Sequence, residues 1–511
     1  MNMTRHKIWR PVPQRQDDMS HHLRQARHGR GPLSPGKASG WRRFAGLGAL
    51  AVLFLLSVSC AVGPNYVRPP VPVPQAYKEM KGWKVAEPKD RLVRGKWWEL
   101  FDDPQLTALE EQVSVSNQNI AQAEAQFRQA RAAVGVARSA YFPTATIGPS
   151  IQRAFQSNLE APNQTLTLLS LPVNASWVPD LFGRVRRNVE SSRASAQATV
   201  ADLENVRLTM CAEVAQDYFQ LRALDAQKQL LDATVKAYSK SLEMTRNKYA
   251  SGISSRGDVL QAETQLKTTQ AQEINVGVQR AQLEHAIGML VGKPASDFFI
   301  SFLPLTATPP LIPVGLPSEL LERRPDVAAA ERQMAAANAQ IGVAIAAYYP
   351  TVTLGASAGY QSLNPAQVLI WPARFWSLGP AALSETLFDG GLRKAQTEQA
   401  RASYDAAVAS YRQTVLTGFQ EVEDNLSTLR ILEQEALAQA DAVKASQDSL
   451  AVIVHQYESG IVAYLNVIVA QTTELSNEIT ALNIQGQRMT AAALLIEALG
   501  GGWDARDLPP G

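Results

Sequence analysis

The sequence predicts an α+β membrane protein in which pairs of β-strands sit between very long coiled-coil helices, with the whole arrangement written twice. Three observations predict it. The phrase YFPTATIGPS at Tyr141 returns as YYPTVTLGAS at Tyr348. Across each copy the apolar period switches from that of a coiled-coil helix to that of a strand. Each copy is then followed by a proline-free, Ala- and Gln-rich stretch several times the usual helix length.

Residues 1–59 read as a leader. Arg42 and Arg43 precede an apolar run from Phe44 to Val58, then small residues and Cys60. A charged segment, a short apolar stretch and a small-residue processing site are the order of a secretory signal. The run is about 15 residues, short of the ~20 a spanning helix needs. A retained anchor is the alternative. Cys60, placed after the run, points to a bacterial lipoprotein acylated there, although Ser57 stands where such boxes usually carry Leu. A chance cysteine beside an ordinary cleavage site is the plainer reading. Cys211, between Val206 and Val214 in a helical stretch, reads as a packed thiol. Once Cys60 is acylated, no intrachain disulfide is possible.

Ten Lys/Arg and two Asp fall in the first 43 residues, so the net charge of +2 conceals a mildly acidic body of 39 basic and 45 acidic residues. That excludes the basic surface of a nucleic-acid binder. Four of the six histidines lie in the leader, leaving His285 and His455 far apart, so no metal-ligand spacing exists. No metal and no cofactor beyond a covalent lipid on Cys60 is expected.

After the segment 60–104, the first repeat runs over 105–292 and the second over 318–499, separated by a Pro-rich linker at 293–317 and followed by a tail at 500–511. The matching phrases are offset by 207 residues, and YASGI at Tyr249 faces YESGI at Tyr457 at an offset of 208. LFGRVRR at Leu181 faces LFDGGLRK at Leu387, and EVAQDYFQLR at Glu213 faces EVEDNLSTLR at Glu421. A duplication this long, in only two copies, is not a solenoid.

Each repeat opens on a helix. Ile120, Ala123, Phe127, Ala130, Val134, Ala137 and Tyr141 form a heptad stripe, as do Val327, Ala330, Met334, Ala337, Ile341, Ala344 and Tyr348. Pro143 and Pro350 stop these helices. Two strands follow, at about 143–182 and about 350–388, from alternation such as Val352, Leu354, Ala356 and Ala358 against Thr351, Thr353, Gly355 and Ser357. Ten-residue alternating runs mark membrane β-strands, with a half-buried sandwich strand as the alternative. The long helices then run from about Gly183 to Lys248 and from Leu392 to Glu458, at ~65 residues roughly 98 Å each. Gly252 and Gly460 end them, and return helices follow, about Gly257 to Leu290 and Leu465 to Leu499. Four strands cannot close a membrane barrel, whose smallest form needs about eight. Open edges in lipid leave backbone groups unpaired, so the chain must borrow strands from copies of itself.

CAVGPNYVRP at Cys60, WWELFDDPQL at Trp97, LFGRVRR at Leu181, LPSELLERRPDVAAAE at Leu316 and ALGGGW at Ala498 span nearly the whole mature chain. In this combination the chain resembles the TolC family of outer membrane factors, in its OprM/NodT-type RND efflux lipoproteins. The resemblance implies a homotrimer with a 12-stranded outer-membrane β-barrel, continued by an α-helical barrel through the periplasm, with a belt around its middle. It implies a passive exit duct in a tripartite efflux system, lipid-anchored in the bacterial outer membrane. Its partners would be a periplasmic adaptor, an inner-membrane RND-type pump and outer-membrane lipid, with no nucleic acid. A type I protein secretion channel and a purely structural periplasmic coiled coil are the alternatives.

In the family the two glycine turns form the periplasmic tip, where the adaptor docks and the tube narrows. By position this carries over to Tyr249, Gly252 and Asp258 in one turn and to Tyr457, Gly460 and Leu465 in the other. Val469 stands where some relatives have an acidic residue. Simple packing is the plainer reading of both tyrosines. Trp177, Phe182, Trp376 and Phe388 suit an aromatic girdle; Arg184, Arg186, Arg187, Arg393 and Lys394 either reach lipid phosphates or are merely solvated. Gly355 to Gly359 matches the G-x-S-x-G of a nucleophile elbow, but Ser357 continues a period-2 run where that motif needs a turn. The chain is not expected to be an enzyme.

Overall fold

The computed structural model describes residues 61–79, 95–156, 164–312, 314 and 317–508. The leader and Cys60 lie outside the described residues. Helices α1 (Pro104–Ser116) and α2 (Gln118–Ser139) precede strands β1 (Thr144–Ile147), β2 (Ser150–Gln156) and β3 (Gln164–Trp177). Helices α3 (Arg184–Ala250) and α4 (Arg256–Leu290) follow, then α5 (Pro317–Arg323) and α6 (Pro325–Ala346). Strands β4 (Thr351–Ser362) and β5 (Arg374–Ser384) lead to α7 (Leu392–Glu458) and α8 (Tyr464–Ala498). Both α3 and α7 have 67 residues, about 100 Å of helix each.

The local causes are legible in the residues. Asp103 caps α1, accepting from the Gln105 and Leu106 amides, with Pro104 at the first helical position where its missing donor costs nothing. Asn117 caps α2 through the Asn119 and Ile120 amides, while its own Nδ2 donates to the Leu290 carbonyl at 2.7 Å. One side chain thus joins the start of α2 to the end of α4. All four long helices end on a left-handed glycine: Gly252, Gly292, Gly460 and Gly500. In each, the amide three residues past the helix reaches back five positions, as in Ile253 N to Lys248 O at 2.8 Å and Ile461 N to Gln456 O at 2.9 Å.

The sheet is antiparallel, in the order β1–β3–β4–β5, with β2 also on β3. Strands β1 and β2 keep one register on β3, Thr144 opposite Ser176 and Ser150 opposite Ser170, so they are one strand broken at Gly148–Pro149. Proline donates no ladder bond, which accounts for the break. The result is a four-stranded ribbon with two open edges, β1/β2 and β5.

The buried core lies where α1, α3, α6, α7 and α8 meet. Trp97, Trp98 and Phe101 pack there, with Phe101 against Phe219 at 4.8 Å between ring centres. The linker is bound by a buried charge network: Arg222 and Arg280 both reach Asp225, at 3.0 and 2.7 Å. Arg222 donates to the Ser301 carbonyl, and the Leu303 amide donates to Asp225. Cys211 is buried, and burial raises its thiol pKa well beyond the usual range.

The N-terminal segment is strapped along the helices. The Val62 amide donates to the Phe182 carbonyl, Arg187 donates to the carbonyls of Val62 and Gly63, and Asn338 donates to the Pro64 carbonyl. Further along, Arg68 reaches the Tyr411 hydroxyl at 2.8 Å, and Glu423 accepts from the Lys78 and Glu79 amides. Arg187 is therefore neither a phosphate ligand nor merely solvated; it is buried and seats the strap. Arg186 and Arg393 likewise pair with Asp180 and Asp389, whose carboxylates also accept amides at the starts of α3 and α7.

Candidate functional site

Two features carry the functional geometry: the sheet with two unlike faces, and the end of the helices where both glycine turns lie.

Register places side chains in rows across the ribbon. One row is Ile147, Val173, Ala358 and Trp376; the adjacent row, on the opposite face, is Thr146, Asn174, Ser357 and Ser377. On the polar face Ser357 and Asn174 bond at 2.7 Å, as do Ser150 and Ser170. Ile147, Ile151, Val173, Trp376 and Leu378 are exposed on the apolar face, Trp376 at 75%. Such a sheet separates an apolar medium from water. Ser357 sits mid-strand with its hydroxyl engaged, so the G-x-S-x-G match forms no elbow. Of the expected girdle, Trp376 and Phe388 are exposed, whereas Phe182 stacks on Tyr349 at 4.8 Å and Trp177 donates to the Tyr141 carbonyl.

At the helix end, Tyr238, Leu242, Ala262, Leu266, Tyr457, Tyr464 and Val467 form one small core. It joins the α3–α4 hairpin to the α7–α8 hairpin. Tyr457 is buried against Tyr464 at 5.2 Å between ring centres. Its hydroxyl meets Ser254 Oγ at 3.2 Å, Ser241 Oγ meets the Tyr464 hydroxyl at 3.1 Å, and Tyr238 donates to the Gln471 carbonyl. Burial pushes the Tyr238 phenol up to about 12, so it stays protonated as a donor.

The sequence-derived residues separate here. Gly252 and Gly460 have φ of 72° and 76°, which favours glycine. Tyr249, the repeat partner of buried Tyr457, is 48% exposed and belongs to no core. Asp258 is occupied locally: it accepts the Ser255 amide while Ser255 Oγ accepts the Asp258 amide, a reciprocal cap on α4. Leu465 and Val469, one helical turn apart on α8, are 54% and 58% exposed.

Sequence reasoning missed Lys248. Its ammonium lies 4.1 Å from the centre of the Tyr457 ring and donates to the Tyr457 carbonyl at 2.9 Å, so a cation from one hairpin sits on the last turn of the other's long helix. The signal was a difference between the copies: Gln456 occupies the matching position.

The sequence pattern of one family, described as outer membrane efflux protein, matches residues 109–293 and again 316–501, once per repeat. The chain belongs to that family. This outer membrane efflux protein is similar to the toluene efflux pump outer membrane protein TtgC of Pseudomonas putida, 29% identical over 462 residues, 89% of this chain and 95% of the relative. It is 30% identical to outer membrane protein OprJ of Pseudomonas aeruginosa over 90% of this chain and 96% of that one. Among solved structures, the outer-membrane channel OprN superposes with a TM-score of 0.81 at 29% identity, covering 87% of this chain and 100% of its own. CusC superposes at 0.77 with 26% identity, covering 86% and 100%. The family is one of transport ducts rather than of enzymes.

Proposed function

We propose that this outer membrane efflux protein is the exit duct of a tripartite efflux system, and that three copies enclose it. The observation that carries the reading is a mismatch between the two repeats. Helix α6 packs between α3 and α7, but its repeat partner α2 packs extensively on α3 alone. Helix α8 likewise packs on both α7 and α3, while its partner α4 has its main contact with α3. A second copy's α7 would supply both missing neighbours. Exposed aliphatics stand on both helices of that join, Ile274 and Val278 on α4 and Leu437 and Val452 on α7. The same operation sets β5 of one copy beside β1/β2 of the next. Three ribbons of four strands make a twelve-stranded barrel, with Trp376 to lipid and Asn174 to a water-filled passage.

In this reading Cys60 carries the lipid. The strap supports it, because Ala61 abuts Gly183 at the junction of β3 and α3, the membrane end of the helices. The opposite end is the periplasmic tip. There Leu465 and Val469 line the narrowed aperture and the exposed residues around Tyr249 meet the adaptor's helical hairpins. Energy comes from an RND-type inner-membrane pump. The protein contributes a gate whose closed form is held by tip contacts, and adaptor binding favours the dilated form by binding it better.

Gly460→Pro tests the tip. The Gly460 amide donates to the Tyr457 carbonyl at 3.1 Å with a positive φ, and proline provides neither. The variant is expected to form trimers yet lose efflux in a strain deleted for the gene, measured by accumulation of a fluorescent pump substrate. Wild-type efflux would remove the tip assignment.

A further inference from the structure

One cleft lies away from the tip. It has a volume of about 660 Å³ and lies among α3, α4, α7 and α8, within the ~300–1,000 Å³ typical of small-molecule sites. Six amide side chains line it: Gln220, Gln279, Gln282, Asn425, Asn483 and Gln487. Leucines, Leu432 and Leu494 among them, supply apolar wall, and no charged side chain lines it. That is unusual in a chain whose residues are 19% charged.

The strap and linker fix which way the cleft faces. They touch α3 at Tyr218, Arg222 and Asp225, α7 at Glu423 and Arg430, and α8 at Gln485. At about 100° per residue, Gln220 on α3, Asn425 and Leu432 on α7, and Gln487 and Leu494 on α8 lie on the opposite sides of those helices. In the proposed duct, where strap and linker form a belt around the helices, the cleft opens on the inner wall.

We propose that this cleft is a transit site for uncharged amphipathic molecules, those with an apolar, typically aromatic, body and one or a few hydrogen-bonding groups. The inference rests on the duct reading and names the substrate class that its wall selects. An ion entering the cleft would give up part of its hydration with no counter-charge to meet it. A pure hydrocarbon would cover amides without satisfying them. A neutral molecule carrying a hydroxyl or amide avoids both costs, since the leucines cover its body and the amides donate or accept.

The test uses full-length protein in lipid nanodiscs and saturation-transfer NMR with three probes on one scaffold: 4-nitrobenzyl alcohol, 4-nitrobenzoate and 4-nitrobenzylammonium, with empty nanodiscs subtracted. The neutral alcohol is expected to bind saturably and at least about tenfold tighter than either ion. Gln279→Glu with Gln487→Glu, both at exposed positions, is expected to move the preference to the ammonium probe, which misfolding would not do. Equal binding of the three probes, or an unchanged order in the double variant, overturns the proposal. Ion conductance in planar bilayers, measured on the Lys248→Ala variant so that this tip contact no longer holds the aperture closed, reads the duct separately. A conducting protein without the binding order loses this site alone, and a protein with the order but no conductance keeps the site and loses the duct.

Discussion

Lys248 and Glu497 show how much a single side chain does in this fold. Lys248→Ala removes a cation–π contact of about 0.5–2 kcal/mol and the cap on the α7 end. It is expected to speed amide exchange of residues 457–464 and to raise conductance in planar bilayers; unchanged exchange there would show that the Lys248–Tyr457 contact does not hold this turn. Glu497 sits on α8 beside Thr209 of α3, Glu421 of α7, and Arg324 and Asp326 at the start of α6, and accepts from Thr209 Oγ1 at 3.0 Å. Burial pushes its carboxyl up to about 7 from an ordinary 4.5. The folded state therefore holds this proton more tightly than the unfolded chain, so stability falls as pH rises from about 4.5 to about 7 and then levels. Asp217, pushed up to about 6 mainly by burial, adds a slope of the same sign. Glu497→Gln is expected to shrink, not abolish, the fall in Tm over that range; identical slopes would contradict it. At this scale the sequence was partly readable. Gly252 and Gly460 announce left-handed helix ends because few other residues fit there. Lys248 does not announce itself, since its partner is a ring 209 positions away that only the meeting of two hairpins brings near.

Elements were the most legible level, for physical reasons. A strand returns to the same face every second residue and a helix every third or fourth, so the period switch at Pro143 and Pro350 marks where one becomes the other. On α3 the apolar stripe Leu221, Leu224, Leu231, Val235, Tyr238, Leu242 and Tyr249 is buried at Leu221, Leu231, Tyr238 and Leu242, partly buried at Leu224 and Val235, and exposed at Tyr249. What periodicity could not show is which faces meet. The stripe on α6 is covered from both sides and that on α2 from one, although the two stripes share one spacing. The strap was equally hidden, because it follows no period and depends on small residues at distant positions. A Cβ on Gly63 would fall 2.5 Å from the Gly342 backbone, and one on Gly342 would fall 2.8 Å from the Arg187 side chain. Gly342→Val is expected to lift the strap, costing about 1–3 kcal/mol, read as a lower denaturation midpoint and faster proteolysis near residues 61–79. Unaltered cleavage would contradict the close seat.

The whole molecule is where the chain alone is insufficient, and the reason lies in its two unlike repeats. A ribbon with one apolar face, one polar face and two open edges has no stable home in lipid as a single copy, because each unpaired backbone group there costs several kcal/mol. Helices α2 and α4 repeat the problem, each lacking the neighbour its counterpart has. In the proposed assembly one rotation meets both deficits, bringing α7 and β5 of a neighbour alongside. The most direct measurement is therefore the native mass of the purified protein, released from mild detergent in a mass spectrometer. Three chains per particle is the predicted result. Single subunits that keep the sheet and the long helices would contradict it.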